Sequence, residues 1–420
     1  MNFTTVNEAV KAVKSGDRVY VHAAAATPTY LTNALSARAS ELNHVEICHL
    51  HTFGEAKYAD IKYKDSFFVN SLFTSANVRH TIKQGNGSYT PIFLGQMGRA
   101  ILNGDLTVDV VLIQVSEPDA HGYCSLGTSV ENIQEAIATA RVVIAQVNKK
   151  MPRTFGDALI PISKITHFVE YDSDLYELPI GTITAEEKQI GDYIAELIED
   201  KSCLQLGIGS IPNAVLANLT NHKDLGIHTE MFSDGVVHLV KSGVITGEHK
   251  GILKHKIVTT FIDGTKELFD FVNDNPEIEM RSASFTNDPF KIAMNDRMIS
   301  INSAIEVDVT GQVCADSIGS SIYSGVGGQV DFVTGAALSK GGKSIIALTA
   351  TTNKGQNKIV PFLKVGAGVV TSRAQVDYIV TEFGVAKLAG KSIKHRVEAM
   401  AAIAHPNFRE QILKEYYDSI

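Results

Sequence analysis

CLQLGIGSIPNAVLANL, from Cys203 to Leu219, is a short apolar strand, a loop of small residues and then an amphipathic helix with Pro212 in its first turn. VYVHAAAATPTYLTNAL, from Val19 to Leu35, follows the same plan, with Pro28 in register with Pro212. A strand that feeds a helix through a small-residue loop is the unit from which open α/β sheets are built. One such unit in each half points to a duplicated architecture. DAHGYCSLG (Asp119 to Gly127) and DVTGQVCADSIG (Asp308 to Gly319) give the same hint. The copies share little identity, so duplication and mere recurrence of a common unit both stay open.

Outward from these segments, short Val/Ile-rich runs alternate with helix-length stretches: VDVVLIQV at 108–115, RVVIAQV at 141–147 and KIVTTFI at 256–262. Runs apolar on both faces belong to strands covered by helices on either side, so the fold class is α/β. MISINSAIEVDVTGQVCAD, with its β-branched residues and glycine, predicts a hairpin-rich layer, and 392–417 has helical spacing broken once by Pro406. After Ile180 comes the polar stretch GTITAEEKQIGDY, with Thr184 as a helix N-cap. The expected lobes are therefore 1–183 and 184–420.

The 420 residues suffice for two or three domains, and 44% hydrophobic with 20% charged residues is the make-up of a globular protein with large cores. With 46 acidic against 38 basic residues the chain carries −8 and has no Lys/Arg run to follow a phosphate backbone, which excludes nucleic acid as a partner. Neither a secretory leader nor a run of about 18 apolar residues is found, so the expected location is the cytoplasm, away from membranes. Cys48, Cys124, Cys203 and Cys314 are far apart without a CxxC pair, and read as reduced thiols.

The familiar nucleotide motifs fail on spacing. GKS follows Gly342 and Gly390, but Ala337 stands where the first needs a glycine, and five residues rather than four separate Gly384 from Gly390. GIGSIP has Pro212 where the dinucleotide fingerprint needs its last glycine, and no GxSxG serine elbow is found. His49 and His51 share a strand face but lack a third ligand at suitable spacing, so no metal is expected.

Three segments of the second half carry candidate chemistry. LQLGIGSIPNAV leads a strand into a helix N-terminus, where free amides attract anions, although such glycines also serve simple tight turns. In GIHTEMFSDGVVHLV, Glu230 closes a short strand, at the edge where open α/β sheets place ligands; the bland reading is a solvated loop acid. SGVGGQVDF, from Ser324 to Phe332, has the glycines of an anion nest or oxyanion hole, or equally of a hairpin bulge.

Together, in this order and spacing, the three segments resemble the acetyl-CoA hydrolase/transferase family of CoA-transferases, in particular its 4-hydroxybutyrate and butyryl-CoA:acetate transferases. SFTNDP (Ser284 to Pro289), SINSAIEVDVTGQVCADSIG (Ser300 to Gly319) and IVTEFGVAKLAGKS (Ile379 to Ser392) extend the resemblance over nearly the whole chain. It implies two similar open α/β lobes of CoA-transferase type with the active site between them. It also implies Glu230 as the nucleophile that becomes a glutamyl-CoA thioester, and a CoA-binding loop at Gly207, Ile208, Gly209, Ser210 and Ile211. Gly327 and Gly328 match the oxyanion motif. Gln205, His22 and Glu382 match positions that orient the substrate carboxylate or the nucleophile, and Ile305 and Lys354 lie in segments that resemble further CoA contacts. One departure is visible: Ala389 stands where the family's pattern ends in arginine, so Lys387 or Lys391 is left to supply that charge.

The activity so implied is transfer of CoA between short-chain acids (4-hydroxybutyrate, butyrate, acetate), without metal or resident cofactor and with acyl-CoA as substrate, in a homodimer or higher homo-oligomer. An acyl-CoA hydrolase is the nearest rival. A non-turning CoA-ester sensor would show a degraded nucleophile or glycine loop, and a sugar-phosphate isomerase would leave Glu230 and SGVGGQ without roles.

Overall fold

The computed structural model describes residues 3–179, 181–207 and 209–420. These form two compact units. Unit 1 comprises Met1–Leu178, Val258–Thr286 and Tyr323–Gly325; unit 2 comprises Pro179–Ile257, Asn287–Ile322 and Val326–Ile420.

Unit 1 is built on seven strands: β1 Arg18–Val21, β2 Val45–His49, β3 Phe67–Ser71, β4 Gly87–Tyr89, β5 Val110–Val115, β6 Val142–Val147 and β7 His167–Glu170. Their order is β7-β6-β5-β1-β2-β3-β4, and every pairing is parallel. β5 is buried at every position, which explains a continuous apolar run instead of alternation. After β1 the chain turns through His22 to Thr27 into helix α1, Thr29–Ala37, whose Leu31 and Leu35 join Val19, Val21, Ile47 and Val110 in one core.

Unit 2 begins with α2, Ala185–Leu197, whose N-terminus is the expected one. Thr184 accepts from the Glu187 amide while Glu187 accepts from the Thr184 amide, a reciprocal capping box. Its strands are β8 Cys203–Leu206, β9 Gly226–Ile227, β10 Met231–Phe232, β11 Met298–Ser303, β12 Lys343–Ala347, β13 Tyr378–Thr381 and β14 Gly384–Lys387. They run in the order β10-β8-β11-β12-β13-β14, with β9 also paired to β8. β8, β11, β12 and β13 are parallel, while β10 and β14 run antiparallel to β8 and β13. Three further helices matter below: α3 Ser210–Asn218, α4 Asp234–Lys241 and α5 Gln329–Leu338.

The expected division into 1–183 and 184–420 needs correction, because Val258–Thr286 and Tyr323–Gly325 return to unit 1. Backbone pairing is the reason: Ile278–Met280 adds in parallel to Phe155–Gly156, Val130 N–H donates to Thr260 O, and Ile262 N–H donates to Thr128 O. The run 256–262 is also not one strand. It breaks at Thr260 into Ile257–Thr259 and Phe261–Ile262, and the Thr259 hydroxyl turns back to the Phe261 carbonyl at 2.9 Å.

The two aspartate-led motifs prove to be the same hairpin. The Asp119 carboxylate accepts from the His121 and Tyr123 amides at 2.8 and 3.0 Å, and that of Asp308 accepts from Thr310 and Gln312 at 2.9 and 3.0 Å. In each, the glycine three residues on takes positive φ (Gly122 +79°, Gly311 +98°) and donates to the aspartate carbonyl. One unit carries one copy each, as duplicated lobes require. The helices are less alike: α1 starts just after Pro28, whereas α3 starts before Pro212.

Candidate active site

β9 runs parallel to β8, and three residues later β10 runs antiparallel to the same strand. The reversal falls on Thr229 and Glu230. Thr229 is buried and pinned: its hydroxyl accepts from Leu206 N–H at 3.3 Å and lies 2.8 Å from Met231 O. Glu230 is thereby held at the carboxyl end of β8, beside the glycine loop that follows that strand.

The Glu230 carboxylate meets two groups from distant parts of unit 2. Asn287, fully buried, donates from Nδ2 to Glu230 Oε2 at 3.1 Å and lies 3.4 Å from Asp331 Oδ2. Two carboxylates on one side of the amide fix which end carries the N–H groups. The second neighbour is Gly328, the N-cap of α5. A Cβ there would fall inside contact distance of Glu230 Oε2 and Asn287 Nδ2 and 3.2 Å from Glu230 Cδ. Gly327 precedes it with φ +54°, and Gln329 anchors the helix start by donating to Ser303 O at 2.9 Å and accepting from Thr371 at 2.9 Å. Only glycine lets the carboxylate lie directly on the backbone that opens a ten-residue helix, where the helix dipole favours negative charge.

Across β8, the loop into α3 contains Gly207 and Gly209; Ile208 lies outside the described residues. Gly209 has φ +118°, a conformation L side chains avoid, yet nothing lies within 4 Å of a Cβ there or at Gly207. Backbone geometry therefore requires the Gly209 glycine, and the space beside it is open. Ser210 and Ile211 form the first turn of α3. The Ser210 hydroxyl bonds Glu187, the residue that also caps α2.

The acetyl-CoA hydrolase/transferase N-terminal domain matches residues 1–197, and the C-terminal domain of the same family matches 264–416. The chain belongs to the acetyl-CoA hydrolase/transferase family. It is 48% identical over 413 residues to the 4-hydroxybutyrate coenzyme A transferase of Clostridium kluyveri, covering 98% of this chain and 96% of that protein. It is 40% identical to the butyryl-CoA:acetate CoA-transferase of Anaerostipes caccae, covering 98% and 95%. The crystal structure of 4-hydroxybutyrate CoA-transferase from Porphyromonas gingivalis superposes with a TM-score of 0.85 at 39% identity, covering 100% of this chain and 98% of that one. By this likeness the protein is a CoA-transferase with the α/β fold of that family.

In this CoA-transferase, the other candidate residues stand apart from the Glu230 cluster. Gln205, 3% exposed in β8, exchanges amide hydrogen bonds with Asn302 at 3.3 and 3.2 Å, and so joins neighbouring strands. Glu382, just past β13, accepts from Ala350 N–H at 2.8 Å. Ile305 is half-buried with its amide on Cys314 O at 2.8 Å, and Lys354 is exposed on a hairpin with its amide on the Thr352 hydroxyl. Ala389 is exposed in a turn; of the two lysines proposed to replace the missing charge, Lys387 lies over the Tyr378 ring, 5.4 Å from its centroid. Asn287 was absent from the sequence-derived candidates, since one asparagine in SFTNDP has no periodicity or spacing to mark it.

His22 belongs to unit 1 and is fully buried. Its Nε2 lies 2.6 Å from Ser129 O and its Nδ1 accepts from Gln114 N–H at 3.3 Å, so the ring is the neutral Nε2–H tautomer with both nitrogens committed to backbone. Burial lowers its pKa to about 4, against those two hydrogen bonds. Nearby Glu131 is pushed up to about 7 by burial, opposed chiefly by its bond from the Ser129 hydroxyl. The two act in opposite senses. A histidine with a lowered pKa contributes stability that is present above about 6.5 and lost as pH falls through about 4. An acid with a raised pKa contributes stability that is present below about 4.5 and lost as pH rises through about 7. Glu131→Gln keeps an acceptor for Ser129 and Ala23 and removes the buried charge. Between pH 5 and pH 8 it should gain on the parent by about 2–3 kcal/mol in denaturant unfolding, and an equal difference at both pH values would refute this.

Among the described residues, no group of three or more His, Cys, Asp or Glu side chains is arranged to hold a metal ion, and no helix is long and apolar enough to cross a membrane. All four cysteines are free and buried.

Proposed function

We propose that this CoA-transferase moves CoA between short-chain carboxylic acids, with 4-hydroxybutyrate, butyrate and acetate as exchange partners, by a ping-pong mechanism through a thioester on Glu230. The observation that carries this is the Glu230 carboxylate lying on Gly328 with Asn287 donating to it. The names of the relatives in Clostridium kluyveri and Anaerostipes caccae support the substrate class.

A carboxylate is a weak nucleophile, so the site must stabilise what forms when it attacks. Glu230 adds to the acyl-CoA carbonyl, and collapse of that adduct expels CoA thiolate and leaves an acyl-glutamyl anhydride. The thiolate then attacks the glutamyl carbonyl, giving glutamyl-CoA and the free acid; a second carboxylate reverses both steps. When the thiolate adds to the Glu230 carbonyl, the oxyanion forms on the very oxygens that Asn287 and the start of α5 face. One such preorganised donor is worth about 2.7–4 kcal/mol. The open backbone at Gly207 and Gly209 suits close approach of CoA, whose remote binding energy is usable at the reacting carbon. Four free buried cysteines fit a reducing compartment and support a cytoplasmic location.

Acetyl-CoA incubated with butyrate or 4-hydroxybutyrate, followed by mass spectrometry, tests the reading. The expected product is the new acyl-CoA with acetate, and the initial rates should give parallel double-reciprocal lines. Free CoA as sole product would make the protein a hydrolase, and intersecting lines would show direct transfer in a ternary complex.

A further inference from the structure

Lysines in the interior of unit 2 are tied to acceptors. Lys250, 2% exposed, donates to Ile227 O at 2.7 Å and Lys256 O at 2.6 Å. Lys343 reaches Leu197 O at 2.8 Å and Glu199 at 2.9 Å, and Lys364 pairs with buried Glu306 at 2.8 Å. This is how a desolvated ammonium is kept charged.

Lys358 is built otherwise. It lies on a hairpin past the end of β12, in which Thr351 bridges Asn357. Its backbone is fixed on both sides: the N–H donates to Ala350 O at 2.8 Å and the carbonyl accepts from Val307 N–H at 2.9 Å. The side chain is half-buried, and no acceptor among the described residues hydrogen-bonds to Nζ. The one carboxylate whose charge reaches it is Glu382, itself held by Ala350 N–H at 2.8 Å. Burial lowers the Lys358 pKa from the ordinary lysine value, and Glu382 opposes that. A desolvated amine without acceptors is the setting in which lysine becomes a nucleophile. It also lies in the part of the chain that follows the carboxyl ends of β12 and β13, the edge of an open α/β sheet where ligands bind.

We propose that Lys358 is an acyl-acceptor side chain, which takes the acyl group from bound acyl-CoA when no acid acceptor is present. The neutral Nζ attacks the thioester carbonyl carbon and a C–N bond forms. The tetrahedral oxyanion collapses with cleavage of the C–S bond, and CoA leaves as thiolate. The proton shed by nitrogen passes to that thiolate, with Glu382 as the nearby base, so the products are Nε-acyl-lysine and CoA thiol. Acylation removes the positive charge that faces Glu382. The proposal rests on the CoA-transferase reading for the source of the acyl group.

The purified protein is incubated with acetyl-CoA without added acid, and acetyl occupancy at each lysine is read by peptide mass spectrometry. Lys354 and Lys391, both exposed in the same unit, serve as comparators. Occupancy at Lys358 should exceed theirs by about fivefold or more, as expected for an activated amine beside a held donor. S-acetyl-N-acetylcysteamine, which lacks the nucleotide, should give a smaller preference, and in Lys358→Arg the total label should fall to the level of surface lysines. Equal labelling of Lys358 and the comparators, or an equal preference with both donors, would overturn the proposal. Selective labelling of Lys358 by a protein that fails the exchange assay would instead defeat the transferase reading and leave Lys358 as the acceptor.

Discussion

Replacing Glu230 by glutamine is expected to lower CoA exchange by about 10⁴-fold or more, the scale of loss when an enzyme's nucleophile is removed. The carboxamide has nearly the shape of the carboxylate, and its oxygen can still accept from Asn287 Nδ2, now at 3.1 Å from Oε2. Packing against Gly328 is likewise kept, so the melting temperature should stay close to that of the parent. What goes is the anionic oxygen that attacks the thioester, and with it the covalent intermediate. With acyl-CoA alone, the parent should show a peptide containing Glu230 bearing CoA, labile to hydroxylamine and reducible by borohydride; the glutamine variant should show none. Exchange retained within tenfold of the parent, in a folded variant without deamidation, would remove Glu230 from the centre of the mechanism.

Asn287 shows where sequence reading stops. It lies 57 residues from Glu230 along the chain, and nothing local marks it as a donor to that carboxylate. Features whose cause is local were legible. β5 is apolar at every position because both its faces are covered, Thr184 and Glu187 spell a capping box, and Asp119 and Asp308 each write the same turn into five residues. Gly209 is intermediate: the glycine was visible, but only φ +118° shows that conformation, not crowding, demands it. His22 follows a strand as a ligand-binding histidine would, and nothing in VYVHAAAA reveals that Ser129 and Gln114 engage both ring nitrogens. The same limit explains the misplaced boundary, since membership of Val258–Thr286 in unit 1 is decided by pairing with Phe155–Gly156 and Thr128–Val130.

Gly328→Ala should be nearly as damaging as its change is small, with turnover falling by about 10²–10³-fold. Backbone strain is not the cause, because φ −99° and ψ 7° lie in a region that alanine can adopt. The added methyl would collide with Glu230 Oε2 and Asn287 Nδ2 together and come within 3.2 Å of Glu230 Cδ. Neither neighbour can yield without consequence. If the carboxylate swings away, the nucleophile leaves the line of attack, and about 1 Å of misplacement can cost on the order of 10²-fold. If Asn287 withdraws, the oxyanion loses a donor, and buried Nδ2 loses an acceptor. The loss should therefore appear in kcat, with KM for acyl-CoA changed far less, since the loop at Gly207 and Gly209 is untouched. Gly181→Ala is the matched control: nothing lies within 4 Å of a Cβ there, and its activity should equal the parent's. Should Gly328→Ala keep kcat within about threefold of that control, the carboxylate would have room that the geometry denies it, and Gly328 would not be the surface against which Glu230 is aimed.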